Sequence, residues 1–201
     1  MNLGLLHMEE KSMKKLLKVV VAAVALLCSG TAFAEGMNTY GKLSIGYDYH
    51  IGYFNHTIAG SFNHFAIKPA FGMLFVPEHD NFFLRGLGME AALDINIGGT
   101  EWKDVGALTL VPRANAVWHL LFDRATFSNS RQKFIPHFTT GFEIPIFIPL
   151  GEDLGVAAGF AWNLGAGLNL KMTDKLDFVA DLSISFYFAF DLSAGLVYRF
   201  K

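Results

Sequence analysis

Histidine and serine are the side chains through which this sequence could carry out hydrolysis or acyl transfer. Such a site needs a serine nucleophile beside a histidine base, and an acid that orients the histidine. None of His64, His119 and His137 stands in a His-x-Ser arrangement, and the stretch Phe127-Ser128-Asn129-Ser130 has no adjacent histidine. The sequence therefore predicts a protein that is not an enzyme.

Metal chemistry has equally little support. His50 and His56 fall in one predicted connector, but no further ligand follows at the spacing typical of a zinc site. We interpret both as solvated loop residues, and we expect no metal and no organic cofactor.

Charged residues are the third candidate set, because many of them alternate with apolar residues. Successive side chains of a β-strand point to opposite faces, so this alternation collects the charges on one face. Charges of both signs in a poorly hydrated interior have to pair, since an unpaired buried charge is costly. We predict an interior network of Lys42, Asp48, Lys68, Glu90, Asp94, Arg113, Glu143, Asp181 and Arg199.

Eight segments show the alternation, and they are the elements that must position these charges. In the first, Leu43 and Ile45 alternate with Ser44 and Gly46. Each segment reaches the roughly 9–11 residues needed for a tilted membrane crossing. The predicted strands are Tyr40 to Ile51, Phe65 to Phe75, Leu87 to Ile97, Leu108 to Phe122, Phe134 to Ile148, Leu154 to Met172, Leu176 to Phe188 and Leu192 to Phe200.

Most connectors between these segments contain the turn residues Gly, Asn, Asp or Pro. They are predicted at 50–57, 77–81, 98–104, 123–133, 149–153 and 173–175, with a very tight turn at Phe190 and Asp191. Pro112, Pro136 and Pro145 fall inside predicted strands, where each removes a ladder hydrogen bond. We interpret these prolines as marking barrel rims or strand boundaries.

One face of the segments is dominated by large apolar and aromatic residues, and the other carries charges. In lipid the backbone polar groups must be satisfied in a closed sheet whose apolar face points outward. The predicted fold is all-β: an antiparallel up-and-down eight-stranded transmembrane β-barrel. The alternative is a soluble β-sandwich or a lipocalin-like barrel, whose apolar face points inward.

The composition restricts the function classes further. The sequence is 52% hydrophobic and contains twenty Phe, yet no apolar run after residue 34 is long enough for a membrane helix. A formal net charge of −2 provides no basic surface that would recruit nucleic acid. We therefore expect no nucleic-acid partner.

The N-terminus has the features of a secretory signal peptide. Three lysines at positions 14, 15 and 18 accompany a short apolar run, and Ala32 and Ala34 are the small residues that predict cleavage after Ala34. The chain is thus divided into a signal peptide, residues 1–34, and an outer-membrane β-barrel domain, residues 35–201. Residues 1–12 are interpreted as an over-extended start.

Cys28 is the only cysteine and lies within the segment predicted to be removed. A lipoprotein would carry its lipid on this cysteine, but the bulky Leu27 before it disfavours such processing. The mature chain therefore relies on backbone pairing and burial rather than on disulfides.

The run Ser193-Ala194-Gly195-Leu196-Val197-Tyr198-Arg199-Phe200 resembles the closing strand of outer-membrane β-barrel proteins, although Lys201 follows the final aromatic residue. With the signal peptide and the strand count, the chain resembles the small eight-stranded barrels of the OmpA, OmpX and OmpW type. The resemblance implies a location in the bacterial outer membrane after export through the periplasm. It also implies contact with outer-membrane lipid, handling by the secretion and barrel assembly machinery, and a monomer. The implied assembly signal consists of Leu196, Tyr198 and Phe200.

The interior of eight strands is just wide enough for side chains to fill. We therefore expect an integral outer-membrane protein with an envelope-structural or surface role and a filled lumen. The alternatives are a channel for small solutes or hydrophobic compounds and a surface adhesin. Because some barrels of this size are lipid A deacylases or palmitoyl transferases, a lipid-modifying enzyme is the remaining alternative.

Overall fold

A computed structural model describes residues 38–51, 61–75, 81, 84–100, 106–123, 127, 130–149, 157–186 and 189–200. The predicted signal peptide, its cleavage site at Ala32 and Ala34, Cys28 and His56 lie outside these residues. Within the described ranges, no helix has the length and apolar character needed to cross a membrane.

The described chain forms ten strand segments, and every pairing between them is antiparallel. They are β1 (Thr39–Ile51), β2 (Ser61–Leu74), β3 (Leu87–Thr100), β4 (Gly106–His119), β5 (Phe134–Glu143), β6 (Ile146–Pro149), β7 (Ala157–Ala158), β8 (Ala161–Lys171), β9 (Leu176–Ser185) and β10 (Ala189–Arg199). Segments that follow one another in the sequence pair, except β5 with β6 and β7 with β8, and β1 pairs with β10 to close the sheet.

These ten segments form eight barrel strands, because two strands are interrupted without a change of register. β4 pairs Arg113 with Glu143 of β5 and Leu110 with Ile146 of β6, in one continuous register. The same holds for β7 and β8, which pair with β6 and β5. The structure is thus an up-and-down eight-stranded antiparallel barrel, which confirms the predicted fold class.

Proline accounts for the interruption between β5 and β6. Pro145 has no N–H to donate, whereas its carbonyl still accepts a hydrogen bond from the Gly159 N–H (2.9 Å). Pro145 therefore marks a strand boundary as predicted. Pro112 does not, since it lies within β4, where its carbonyl accepts the Ile144 N–H at 3.1 Å. Pro136 lies close to the start of β5.

The predicted turn at Phe190 and Asp191 is wrong. Both residues lie in β10, where Phe190 pairs with Ile184 and Asp191 pairs with Ser183 of β9. β9 ends at Ser185 and β10 begins at Ala189, so the chain reverses between these two residues. This is before Asp191, whose polarity had indicated the turn. Asp191 is an inward-facing strand residue rather than a turn residue.

Other strand bounds differ by a few residues. The fourth strand ends at His119 rather than at Phe122, and the second begins at Ser61 rather than at Phe65. His50 was included both in the first predicted strand and in the connector after it; it lies in β1 and pairs with Ala189 of β10, as the strand prediction has it. In each case the ladder of backbone hydrogen bonds, and not residue polarity, decides where the strand ends.

The two faces of the barrel differ sharply in exposure. Leu43, Leu182 and Leu192 point outward and are 58%, 59% and 63% exposed, whereas the inward Ser44 and Asp48 are 2% exposed. This is the reverse of a lipocalin-like barrel, in which apolar side chains fill the interior. The apolar belt runs around the outside, as expected for strands in contact with lipid.

Candidate functional site in the barrel lumen

All nine charged residues predicted to face inward do so, and they fall into three groups along the barrel axis. Lys42, Arg113 and Asp181 are half-buried, and the other six are buried. Their positions follow directly from the strand period of two, because each alternates with an outward apolar residue.

The first group is centred on Lys68 of β2. Its Nζ lies 2.7 Å from Asp48 Oδ1 and 3.6 Å from Asp94 Oδ2, and it also contacts Asp191 Oδ2. The Asn96 amide donates a further hydrogen bond to Asp48 Oδ2 at 2.6 Å. One ammonium therefore holds three carboxylates that come from three different strands.

Arg113 of β4 extends this group across the lumen. Its guanidinium lies 2.9 Å from Asp94, 3.0 Å from Glu143 and 3.6 Å from Asp191. Because Asp94 and Asp191 also contact Lys68, the ion pairs are joined. We call this set the Lys68–Arg113 group; it consists of Lys68, Arg113, Asp48, Asp94, Asp191 and Glu143.

A second group surrounds Lys42 of β1. Lys42 Nζ lies 2.8 Å from Glu90 Oε1 and 3.5 Å from Asp181 Oδ2. The Tyr40 hydroxyl donates to Glu90 at 3.0 Å, and His137 Nε2 lies 2.8 Å from Asp181 Oδ1. We call these five residues the Lys42 group.

The third group lies at the end of the barrel where the described chain begins and finishes, which we call the terminal end. The fully buried Arg199 forms a fork with Asp177, with Nε 2.9 Å from Oδ2. Its Nη1 donates to the carbonyl of Phe127 at 2.7 Å, and its guanidinium lies 4.6 Å from the centre of the Phe127 ring. Arg199 thereby fixes a connector residue inside the lumen.

Phe127 belongs to an apolar cluster that fills this end of the lumen. The fully buried ring lies 5.5 Å from the Tyr40 ring and 4.3 Å from the His119 ring, measured between centroids. We call the cluster the terminal plug; it consists of Tyr40, Leu74, Leu121, Phe127, Ile135, Val179 and Val197.

Several of these residues were not among the predicted site residues. Asp177 and His137 lie on the inward faces of their strands by the same alternation, but the sequence does not indicate that they contact Arg199 and Asp181. Asp191 was missed because it was assigned to a turn. Phe127 was missed because it lies in a connector, where no period in the sequence indicates which side chain turns inward.

Three of the candidate hydrolytic residues, His119, His137 and Ser130, are engaged in structural contacts, whereas Ser128 lies outside the described residues. His137 contacts Asp181, and its ring lies 5.3 Å from that of His119. Ser130 Oγ donates to Asp123 Oδ2 at 2.9 Å, which folds the β4–β5 connector. In the described residues these groups therefore form parts of the lumen packing and of a connector.

Among the described residues, one set of carboxylates has the spacing of a metal site. Ligand oxygens of Asp48, Asp94 and Asp191 lie within 4.8 Å of one another. The ammonium of Lys68 already contacts all three, so it provides the cation for this set.

The three residues of the implied assembly signal follow one another on the outer surface at the terminal end. Leu196 and Tyr198 are exposed, and Phe200 packs against Tyr198 with 5.2 Å between the ring centroids. Phe200 also donates its N–H to the Thr39 carbonyl at 3.0 Å, next to the seam between β1 and β10.

No family model matches the sequence, and no curated protein matches it. Solved structures do match. Neisserial surface protein A (NspA) superposes with a TM-score of 0.55 at 15% identity, over 81% of this chain and 97% of that chain. The fold is that of the small outer-membrane β-barrels. The outer membrane protein OprG from Pseudomonas aeruginosa also has a TM-score of 0.55, at 9% identity, over 81% of this chain and 96% of that chain.

Proposed function

We propose that this protein is an integral outer-membrane barrel with a closed lumen and an envelope-structural or surface role, and that it is not an enzyme. The apolar belt supports the membrane location, because a belt of this extent would be unstable in water. Outer-membrane lipid would be its surrounding partner, and the secretion and barrel assembly machinery would deliver it.

The observation that carries this proposal is the filling of the lumen. The Lys68–Arg113 group spans the bore by joining carboxylates of β1, β3, β5 and β10. The terminal plug fills the terminal end of the same bore with packed apolar side chains, which supports a closed lumen. An aqueous path would have to displace both, and separating a buried ion pair leaves uncompensated charge in a medium of low dielectric.

A channel for small solutes is the second candidate, and a cavity in the middle of the lumen favours it. The cavity measures about 40 Å³ and is lined by polar side chains of both the Lys68–Arg113 and Lys42 groups. It holds a few water molecules at most, since each needs about 10–15 Å³. Conduction through it would require the terminal plug to move.

Planar-bilayer recording on the refolded protein distinguishes the two candidates. We expect no stable ohmic steps from the wild type. Two variants target the two obstructions: Glu90→Ala with Arg113→Ala in the charged groups, and Phe127→Ala in the terminal plug. Asp174→Ala, at a side chain 82% exposed outside the lumen, is the matched control.

Large ohmic steps from the wild type would overturn the closed lumen in favour of a channel. If ohmic steps appear when all three substitutions are combined in one protein, but in neither of the two separate variants, the charged groups and the terminal plug each seal the bore without the other. Steps from Asp174→Ala alone would indicate leakage from poor refolding rather than from the lumen.

A further inference from the structure

Basic side chains gather on one part of the barrel rim at the terminal end. They come from the ends of β5, β8 and β9, and we call them the basic rim: Arg131, Lys133, Lys171 and Lys175. The Lys171 N–H donates to the Lys133 carbonyl at 2.8 Å, and the Lys171 ammonium donates to the Ser130 carbonyl at 2.9 Å. The Lys175 carbonyl accepts the Arg199 N–H at 2.8 Å, which places this residue at the same end. Two separate stretches of the sequence therefore form one basic cluster.

The basic rim has a surplus of positive charge. Two carboxylates belong to the same part of the rim among the described residues. That of Asp174 lies 3.2 Å from the Lys171 ammonium, and that of Asp123 accepts the backbone N–H of Arg131 at 2.6 Å. The four cations of the basic rim therefore exceed the carboxylates by two. The other two lysines of the basic rim are exposed, so a ligand can reach them from outside the barrel.

A row of large apolar side chains lies beside the basic rim on the outer surface. Phe134, Leu170 and Phe178 pair side by side across β5, β8 and β9, and all three are exposed; we call them the apolar row. Lys133 directly precedes Phe134, and Lys171 directly follows Leu170, so the cations begin about 3.4 Å further along these strands. The surface thus passes from apolar to cationic within one residue, which matches a molecule with apolar chains and an anionic head.

We propose that the basic rim and the apolar row together bind an anionic phospholipid, with its phosphate at the exposed ammonium groups and its acyl chains along the apolar row. Lysine binds phosphate as a point charge, and basic residues beside a bilayer attract anionic headgroups. A soluble anion would contact only the basic rim, and a zwitterionic headgroup carries its own positive charge. The proposal rests on the proposed contact with outer-membrane lipid and not on the closed lumen.

Native mass spectrometry tests the proposal on the full mature chain, refolded in a non-ionic detergent. Dimyristoyl phosphatidylglycerol is the probe. Dimyristoyl phosphatidylcholine, which has the same acyl chains and no net charge, is the matched lipid. We expect phosphatidylglycerol to bind about tenfold more tightly at an ionic strength of about 0.01 M. At about 1 M the Debye length falls to about 3 Å, so we expect most of this preference to be lost.

Variants at the rim locate the headgroup. Lys133→Gln with Lys175→Gln leaves two cations and two carboxylates in this part of the rim, so we expect it to bind the two lipids equally. Asp174→Asn changes the charge in the opposite direction and is expected to strengthen the binding of phosphatidylglycerol only. Phe134→Ser is expected to weaken both lipids by a similar factor, because it shortens the apolar row. All four positions are exposed, where substitutions usually change stability little.

Equal affinity of the wild type for the two lipids would overturn the proposal. So would a preference that persists in the double lysine variant, because the anionic headgroup would then bind elsewhere. Displacement of the lipid by an equal concentration of glycerol phosphate or of polyglutamate would show that the basic rim binds soluble anions, and would overturn it too. A barrel that retains neither lipid contradicts the proposed contact with outer-membrane lipid as well, whereas equal retention of both contradicts only the site.

Discussion

Replacing Lys68 by methionine removes one positive charge from the lumen and keeps a side chain of similar length. In the native barrel its ammonium contacts Asp48, Asp94 and Asp191. After the substitution Asp94 and Asp191 retain Arg113, whereas Asp48 retains the amide of Asn96. The three buried carboxylates of Asp48, Asp94 and Asp191 are then neutralised by one positive charge fewer.

We expect Lys68→Met to lower the free energy of unfolding by about 3–5 kcal/mol, the usual cost of removing one partner from a buried ion pair. The loss is large compared with a total stability of about 5–15 kcal/mol for a typical domain. Urea unfolding in lipid vesicles, followed by heat-modifiable gel migration, measures it. Lys175→Met, at an exposed rim position, is the matched control and is expected to change stability very little.

A double variant separates charge from packing. Asp191→Asn in the Lys68→Met background removes one of the carboxylates that lost the Lys68 ammonium, so we expect it to recover part of the lost stability. The double-mutant cycle then gives the coupling energy between Lys68 and Asp191. A Lys68→Met protein within about 1 kcal/mol of the wild type would contradict this expectation, because it would mean that the lumen already screens these charges as water does.

Three further predictions follow from other parts of the molecule. Leu192→Arg on the outer belt is expected to cost up to about 2–4 kcal/mol, the cost of an arginine at the bilayer midplane, whereas Asp174→Arg at the exposed rim costs little; refolding yields into vesicles compare the two, and equal tolerance would mean that Leu192 does not face lipid. Phe127→Ala is expected to cost about 3–5 kcal/mol in urea unfolding, because it removes the central side chain of the terminal plug; an unchanged midpoint would show that Phe127 is not packed in the lumen. N-terminal sequencing of protein from outer-membrane fractions is expected to begin at Glu35, and a sequence that still contains the lysines of the leader would contradict the cleavage site.

The period of two in the sequence predicted the outer and inner faces of the barrel, because a strand leaves each side chain only two directions. For this reason the nine charges could be assigned to the inner face before any partner was known. Ile95 shows the limit of that reasoning. It lies opposite Ile67 and Leu110 on the outward face, yet it is only 5% exposed, since burial depends on neighbouring side chains and not on alternation alone.

The other differences between the predicted and the observed structure arise where residue polarity, and not backbone pairing between strands, was used to predict the position of a residue. Asp191 looked like a turn residue because aspartate favours turns, whereas its position is set by the register between β9 and β10. Phe127 could not be predicted as the centre of the terminal plug, because a connector has no period. Its place depends on Arg199, which is 72 residues away in the sequence.

The ion pairs of the lumen connect strands that are not neighbours in the barrel, such as β4 and β10 through Arg113 and Asp191. A register slip of one residue in any strand would turn the charges of that strand toward lipid. A slip of two residues would move each charged side chain by about 7 Å along its strand, away from its partner. Backbone hydrogen bonds alone tolerate such slips, because one rung of a ladder is like another. The lumen charges therefore specify the strand register, because only one alignment of the strands brings each acidic side chain next to its basic partner. A barrel that closed in another register would contain unpaired charges in its lumen.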